Sequence, residues 1–123
     1  MRLIIDTHIF LWALADPKRI SKDQLAEIEM QANIVYVSSI SIAEVMIKAS
    51  IGKLDVRFDP VKMVEKCGFE SLDFCSEDAL LLKDMPFHHR DPFDRMLIAQ
   101  SLANKYPIVT EDPKFQSYDC RLI

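Results

Sequence analysis

The hydrophobic positions of this chain fall into two kinds of run. Leu3-Ile4-Ile5, Ile34-Val35-Tyr36-Val37 and Pro107-Ile108-Val109-Thr110 are short, rich in branched side chains and apolar at nearly every position. Unbroken apolar runs of that length suit strands covered on both faces, the environment of a parallel sheet. Residues 69–74 and 120–123 are weaker strand candidates. Between the runs, apolar residues recur at three- and four-residue spacing and predict helices over 7–15, 22–31, 42–51, 61–67, 77–83 and 92–106. The alternation βαβα predicts an α/β fold, a central parallel sheet of four to five strands with helices on both faces. In such sheets ligands bind beyond the carboxyl ends of the strands, at a switch in strand order.

Only two glycines occur, Gly52 and Gly68, and there is no repeat, linker-like run or low-complexity stretch, so 1–123 reads as a single domain. A chain of 123 residues, half of them hydrophobic, is long enough to bury one core. The apolar start is cut short by Asp6 and lacks the features of a secretory signal, and no stretch is long enough to span a bilayer. Three cysteines, Cys67, Cys75 and Cys120, form no metal-type pair and read as reduced, mostly buried residues of a cytoplasmic protein.

The net charge of −4 argues against a protein that coats nucleic acid with a basic face. It does not argue against a nuclease, because a carboxylate site is itself acidic and bound divalent cations reverse its local charge.

Acidic residues stand where the sheet places its chemistry. Asp6 follows the first strand, Glu44 opens the helix after the second, Asp91 and Asp94 open the long helix, and Asp112 lies two residues past the fourth strand. If those ends share one sheet edge, the carboxylates converge and suit a hard cation such as Mg²⁺ or Mn²⁺, which activates water for phosphodiester cleavage. Each acid also fits an ordinary helix cap. Ser41-Ile42-Ala43-Glu44 has capping-box spacing, Asp91-Pro92 and Asp112-Pro113 place proline at the first helical position, and Asp6 precedes Thr7. Four at once, from distant parts of the chain, favour a site. Within the pair, Asp91 fits the cap and Asp94 the ligand.

Other residues carry weaker signals. His88, His89 and Arg90 precede the acidic helix, but loop histidines are more often surface residues. Lys48, Lys53, Arg57 and Arg95 are candidates for a phosphate-contacting rim, weighed against solvated or acid-paired positions. Phe10 and Trp12 read as core or dimer packing, and Met30, Met46, Met63, Met85 and Met96 as core filler.

Four blocks carry a resemblance that spans nearly the whole chain. They are Leu3-Ile4-Ile5-Asp6-Thr7-His8, Val37-Ser38-Ser39-Ile40-Ser41-Ile42-Ala43-Glu44 with Lys48, His89-Arg90-Asp91-Pro92-Phe93-Asp94-Arg95-Met96-Leu97-Ile98-Ala99-Gln100, and Val109-Thr110-Glu111-Asp112. In this order they resemble a PIN-domain ribonuclease, in particular the VapC-type toxin of VapBC toxin–antitoxin modules. The resemblance implies a PIN-like three-layer sandwich, with Asp6, Glu44 and Asp94 as acidic core and Asp112 as the more variable fourth carboxylate. It further implies Mg²⁺ or Mn²⁺, endoribonuclease activity on RNA, a homodimer, and inhibition by a small antitoxin. On the same basis, Thr110 helps to position a ligand or water, and the stretch 47–54 forms part of the surface that the antitoxin covers. Glu111 beside Asp112 leaves open which of the two faces the metal, since alternating side chains of an extended segment point one of them inward.

The expected function is therefore metal-dependent RNA cleavage by a type II toxin. Two rivals stand beside it. Another metal-dependent phosphoryl hydrolase is disfavoured by the lack of a Gly-rich phosphate loop and of an Asp-x-Asp motif after the first strand. An inactive PIN-fold interaction module has no need of four carboxylates.

Overall fold

The structure, a computed structural model, describes all 123 residues. Strands β1 (Arg2–Ile5), β2 (Ile34–Ser38), β3 (Glu70–Leu72) and β4 (Ile108–Val109) form one sheet in the order β3-β2-β1-β4. Every pairing is parallel: Ile4 lies opposite both Tyr36 and Ile108, and Tyr36 lies opposite Glu70. The chain steps outward from β1 to β3, then returns to lay β4 on the other side of β1. That reversal puts the switch in strand order between β1 and β4, where a crevice opens beyond the carboxyl ends. Of the weaker strand candidates, 69–74 yields the short edge strand β3, and 120–123 yields a single parallel bridge, Ile108 to Leu122.

The side-chain alternation of the strands explains the layers. Leu3, Ile5, Val35, Val37 and Val109 enter one core with Ile9 and Phe10 of α1 (Thr7–Ala15), Leu25 and Ile28 of α2 (Lys22–Glu29), and Val64 of α4 (Pro60–Lys66). On the opposite face, Ile4 packs with Ile40 of α3 (Ser39–Ser50) and Leu97 of α6 (Pro92–Asn104), while Ile108 joins Ile98, Ala99 and Phe115. Leu3, Ile4 and Ile5 are fully buried, each worth about 1.5–3 kcal/mol of burial, which is why β1 anchors both cores. No helix is long and apolar enough to cross a membrane.

Several local expectations are corrected. Helix α3 begins at Ser39, not at 42, because the Ser38 hydroxyl accepts the Ile40 N–H at 3.1 Å and caps the helix as β2 ends. The capping box of Ser41 and Glu44 therefore does not form, and Glu44 lies in the second turn. The helix over 77–83 is a short α5 (Ser76–Ala79) continued by a 3-10 turn, and α6 stops at Asn104 because Lys105 adopts the left-handed conformation (φ 59°). Met30 and Met46 are nearly half exposed rather than core filler, whereas Met85 is buried. Cys67 and Cys75 are exposed, so only Cys120 matches the expectation of buried thiols, and all three are unpaired.

Candidate active site

Each acidic residue is held by a local hydrogen bond that follows from its place at a strand end. Asp6 caps α1: its Oδ1 accepts the Ile9 N–H at 2.8 Å, which leaves Oδ2 to accept the Thr110 hydroxyl at 2.6 Å. Thr110 ends the run of β4 and also accepts the Asp112 N–H at 3.0 Å, so one hydroxyl ties two carboxylate-bearing residues of adjacent strand ends. Its carbonyl is gripped in turn by Gln24 of α2, at 3.0 Å.

Glu44 is buried, and both its oxygens are engaged. Thr7 donates its hydroxyl to Oε1 at 2.7 Å while lying 2.9 Å from the Ser41 hydroxyl, and Lys48, one turn further along α3, reaches Oε2 at 2.6 Å. The hydrogen bond to Glu44 pushes the Lys48 ammonium above its ordinary range, and the charges of Glu44, Asp91 and Asp94 act in the same direction. Lys48 is thus a fixed cation inside an acidic cluster.

Asp91 caps α6, its Oδ1 accepting the N–H groups of Phe93 at 2.9 Å and Asp94 at 3.1 Å. Asp94, on the first turn, turns Oδ2 to His89 Nε2 at 2.7 Å. The same nitrogen lies 3.6 Å from Asp112 Oδ2, so His89, Asp94 and Asp112 bring three ligand atoms within 4.8 Å of one another. Asp112 also caps the 3-10 turn Pro113–Ser117 through the Lys114 N–H at 2.9 Å, using Oδ1. Glu111 is exposed; Asp112 is the member of the pair that reaches this cluster.

The electrostatics reflect this crowding. Burial pushes the Asp94 carboxyl up to about 6, with the Asp91 charge adding to the effect and the bond to His89 opposing it. Burial also raises Asp6; the bonds from Thr110 and Ile9 oppose that rise, and the charge of Asp112 adds to it. A cavity of about 270 Å³ opens beside these groups, lined by Asp6, His8, Trp12, Glu111, Asp112 and Pro113.

Four parallel strands with their acids at the β1/β4 switch match a known pattern. A family model for the PIN domain covers residues 3–119. This chain belongs to the PIN-domain family. VapBC2 from Rickettsia felis, solved on a DNA fragment from its promoter, superimposes with a TM-score of 0.75 at 18% identity, over 100% of this chain and 98% of that one. VapBC-5 from Mycobacterium tuberculosis, a toxin–antitoxin system, gives 0.59 at 15% identity, over 99% and 95%. The PIN domain endonuclease Utp24 gives 0.52 at 18% identity, over 94% and 74%. No curated protein sequence matches the chain. At such identities the structural likeness is one of fold, and the family makes a hydrolase acting on nucleic acids the coarse functional class.

Two residues of the PIN domain depart from the sequence reading. His89, taken as a surface loop residue, is buried against Phe115, with its N–H donated to the Tyr118 hydroxyl at 2.9 Å. Arg95, taken as a rim candidate for phosphate, is buried and donates to the carbonyls of Pro86, Met85 and Leu82 and to the Tyr118 hydroxyl. It ties down the loop that carries His89. Of the other rim candidates, Lys48 pairs with Glu44, Arg57 pairs with Asp55 in solvent, and Lys53 is exposed. Phe10 is fully buried as expected for packing, whereas Trp12 is half-buried, carries the Arg19 guanidinium over its ring at 4.6 Å and lines the cavity beside Asp6.

Proposed function

We propose that this chain is a single-domain, metal-dependent endoribonuclease, the toxin of a type II toxin–antitoxin pair, acting as a homodimer in the cytoplasm and silenced by a small antitoxin protein. The observation that carries this reading is the cluster of Asp94, Asp112 and His89 at the sheet edge, with the charge of Asp112 felt at Asp6 and that of Glu44 felt at Asp94. Oxygen donors of this kind fit Mg²⁺ or Mn²⁺. Burial, with the Asp91 charge adding to it, pushes the Asp94 carboxyl up to about 6, and a cation beside it would favour its charged form. Asp6, Glu44, Asp94 and Asp112 would hold the ion, with Asp91 as a cap that reaches it at most through water and Glu111 outside it. When bound, it would supply activation of a water and stabilisation of the leaving oxygen in phosphodiester hydrolysis.

The remaining work falls to the chain itself. Thr110 fixes the direction of Asp6, Thr7 and Lys48 fix Glu44, and His89 fixes Asp94. The N-termini of α1 and α6, directed at the same edge, favour an anionic phosphate there. The VapBC names of the structural relatives support an antitoxin partner, as do Ile47 and Ile51, which are exposed by 49% and 60% at the end of α3.

The test is cleavage of a mixed RNA pool by antitoxin-free protein, in Mg²⁺ or Mn²⁺ and in chelator, beside the Asp6→Asn and Asp94→Asn variants. Metal-dependent cutting that both substitutions abolish is the expected result. A folded protein that binds no divalent ion and leaves every RNA intact would make the chain an interaction module.

A further inference from the structure

The histidine at position 89 does more than a loop residue needs to do. The residue is held at three points: the ring meets Phe115, the main-chain N–H is anchored to Tyr118, and Nδ1 lies 3.5 Å from the Asp91 nitrogen. Only Nε2 faces the acidic cluster, 2.7 Å from Asp94 Oδ2 and 3.6 Å from Asp112 Oδ2. An ion with bonds of about 2.1 Å sets neighbouring ligand atoms about 3.0 Å apart in octahedral geometry and about 3.4 Å apart in tetrahedral geometry. The two observed distances bracket those values. All three ligand atoms lie within 4.8 Å of one another, so rotations of Asp94 and Asp112 would bring them onto one ion, and the buried support under the ring would keep the nitrogen in place while they turn.

We propose that His89 is a nitrogen ligand of the divalent-ion site, beside Asp94 and Asp112, and that it makes the site select Mn²⁺ over Mg²⁺. The physical reason is ligand preference. Mg²⁺ is held by oxygen and gives up its waters reluctantly, whereas imidazole nitrogen suits first-row transition ions. On binding, the one ring proton moves from Nε2 to Nδ1, so the neutral imidazole offers its Nε2 lone pair and the weak contact of Nδ1 with the Asp91 N–H is given up. This inference rests on the metal-dependent reading above, and adds to it a ligand of different chemistry from the four carboxylates.

The experiment is pulsed electron paramagnetic resonance of Mn²⁺ bound to the full chain, natural and with ¹⁵N-labelled histidine, together with calorimetric titration of Mn²⁺ and Mg²⁺. Nitrogen modulation that changes with the isotope, persists in His8→Gln and disappears in His89→Gln is the expected result, His8 being the control because it lines the cavity beside Asp6 and Asp112. His89→Gln should also lower the ratio of Mn²⁺ to Mg²⁺ affinity by about tenfold or more, as loss of even an outer partner costs about 10–100-fold. Bound Mn²⁺ with no nitrogen coupling in the unsubstituted protein overturns the role of His89 and leaves the carboxylate site standing. Coupling that persists in His89→Gln overturns it equally. No Mn²⁺ binding at all overturns both this inference and the metal-dependent reading. The labelled chain carrying both His8→Gln and His88→Gln, which leaves His89 as its one histidine, decides the matter even if His89→Gln fails to fold.

Discussion

Thr110 donates its hydroxyl to Asp6 at 2.6 Å across 104 positions of sequence, and the same oxygen accepts the Asp112 N–H. The first bond counteracts burial at Asp6, which otherwise favours the protonated carboxyl. Thr110→Val keeps the shape and removes the hydroxyl. We predict that it raises the Asp6 carboxyl further and weakens divalent-ion affinity by about 10–100-fold, the usual cost of losing a group that orients a ligand. Thr110→Ser should bind nearly as the natural chain does. Calorimetry and carboxyl-carbon NMR titration check the pair, and equal affinity in all three proteins would remove Thr110 from the site.

A second prediction concerns Asp94, whose carboxyl rises from 3.8 to about 6. A carboxyl raised on folding binds its proton more tightly in the native state, so its favourable contribution is complete below about pH 3.8 and is lost as pH rises through about 6. Above that, the charged, partly buried group weakens the metal-free fold by an amount on the order of 1–2 kcal/mol once its partial exposure is discounted. Asp94→Asn can still accept the bond from His89. It should therefore leave metal-free stability at pH 7 unchanged or higher, flatten the dependence between pH 4 and 6, and abolish cleavage. Mg²⁺ or Mn²⁺ should raise Tm in the natural chain more than in the variant. Thermal unfolding across pH reads both effects, and a variant that unfolds in metal-free buffer would make Asp94 chiefly structural.

Asp91 separates from Asp94 by what its oxygen already does. Its Oδ1 accepts two main-chain N–H groups at the start of α6, the work of a cap. Asp91→Ala should cost about 1 kcal/mol, and Asp91→Ser should recover most of it. Denaturant titration measures the cost. Cleavage lost at full stability, and not restored by serine, would assign Asp91 to the ion instead.

The parts that were legible in the sequence are those whose cause is local. Strands β1, β2 and β4 are covered on both faces and so read as unbroken apolar runs, and an acid placed directly after such a run can be located without coordinates. Edge strand β3 has Glu70 and Ser71 exposed and left only a faint signal. The start of α3 was missed because Ser38, Ser39 and Ser41 are all competent caps, and the end of β2 decided in favour of Ser38. His89 and Arg95 were misread for a different reason. The burial of His89 depends on Phe115 and Tyr118, more than twenty residues further on, and the direction of Arg95 depends on the carbonyls of a preceding loop. No spacing rule encodes either contact.

The corrected position of Arg95 yields the last prediction. Its guanidinium bonds the Pro86 carbonyl at 2.9 Å and the Tyr118 hydroxyl at 3.2 Å, lies near the carbonyls of Met85 and Leu82, and sits 4.0 Å over the Phe87 ring. A lysine carries the charge but not the planar fork, so Arg95→Lys leaves several of those acceptors without a donor. The expected loss is about 2–3 kcal/mol of stability. Because Tyr118 also accepts the His89 N–H, the same substitution should speed hydrogen exchange at the His89 amide ahead of global unfolding. Arg90→Lys, on the exposed neighbour, should change neither. Unfolding curves and residue-resolved exchange test this directly. If Arg95→Gln instead keeps its stability and its loop protection but binds RNA with a weaker salt dependence, the arginine contacts phosphate after all.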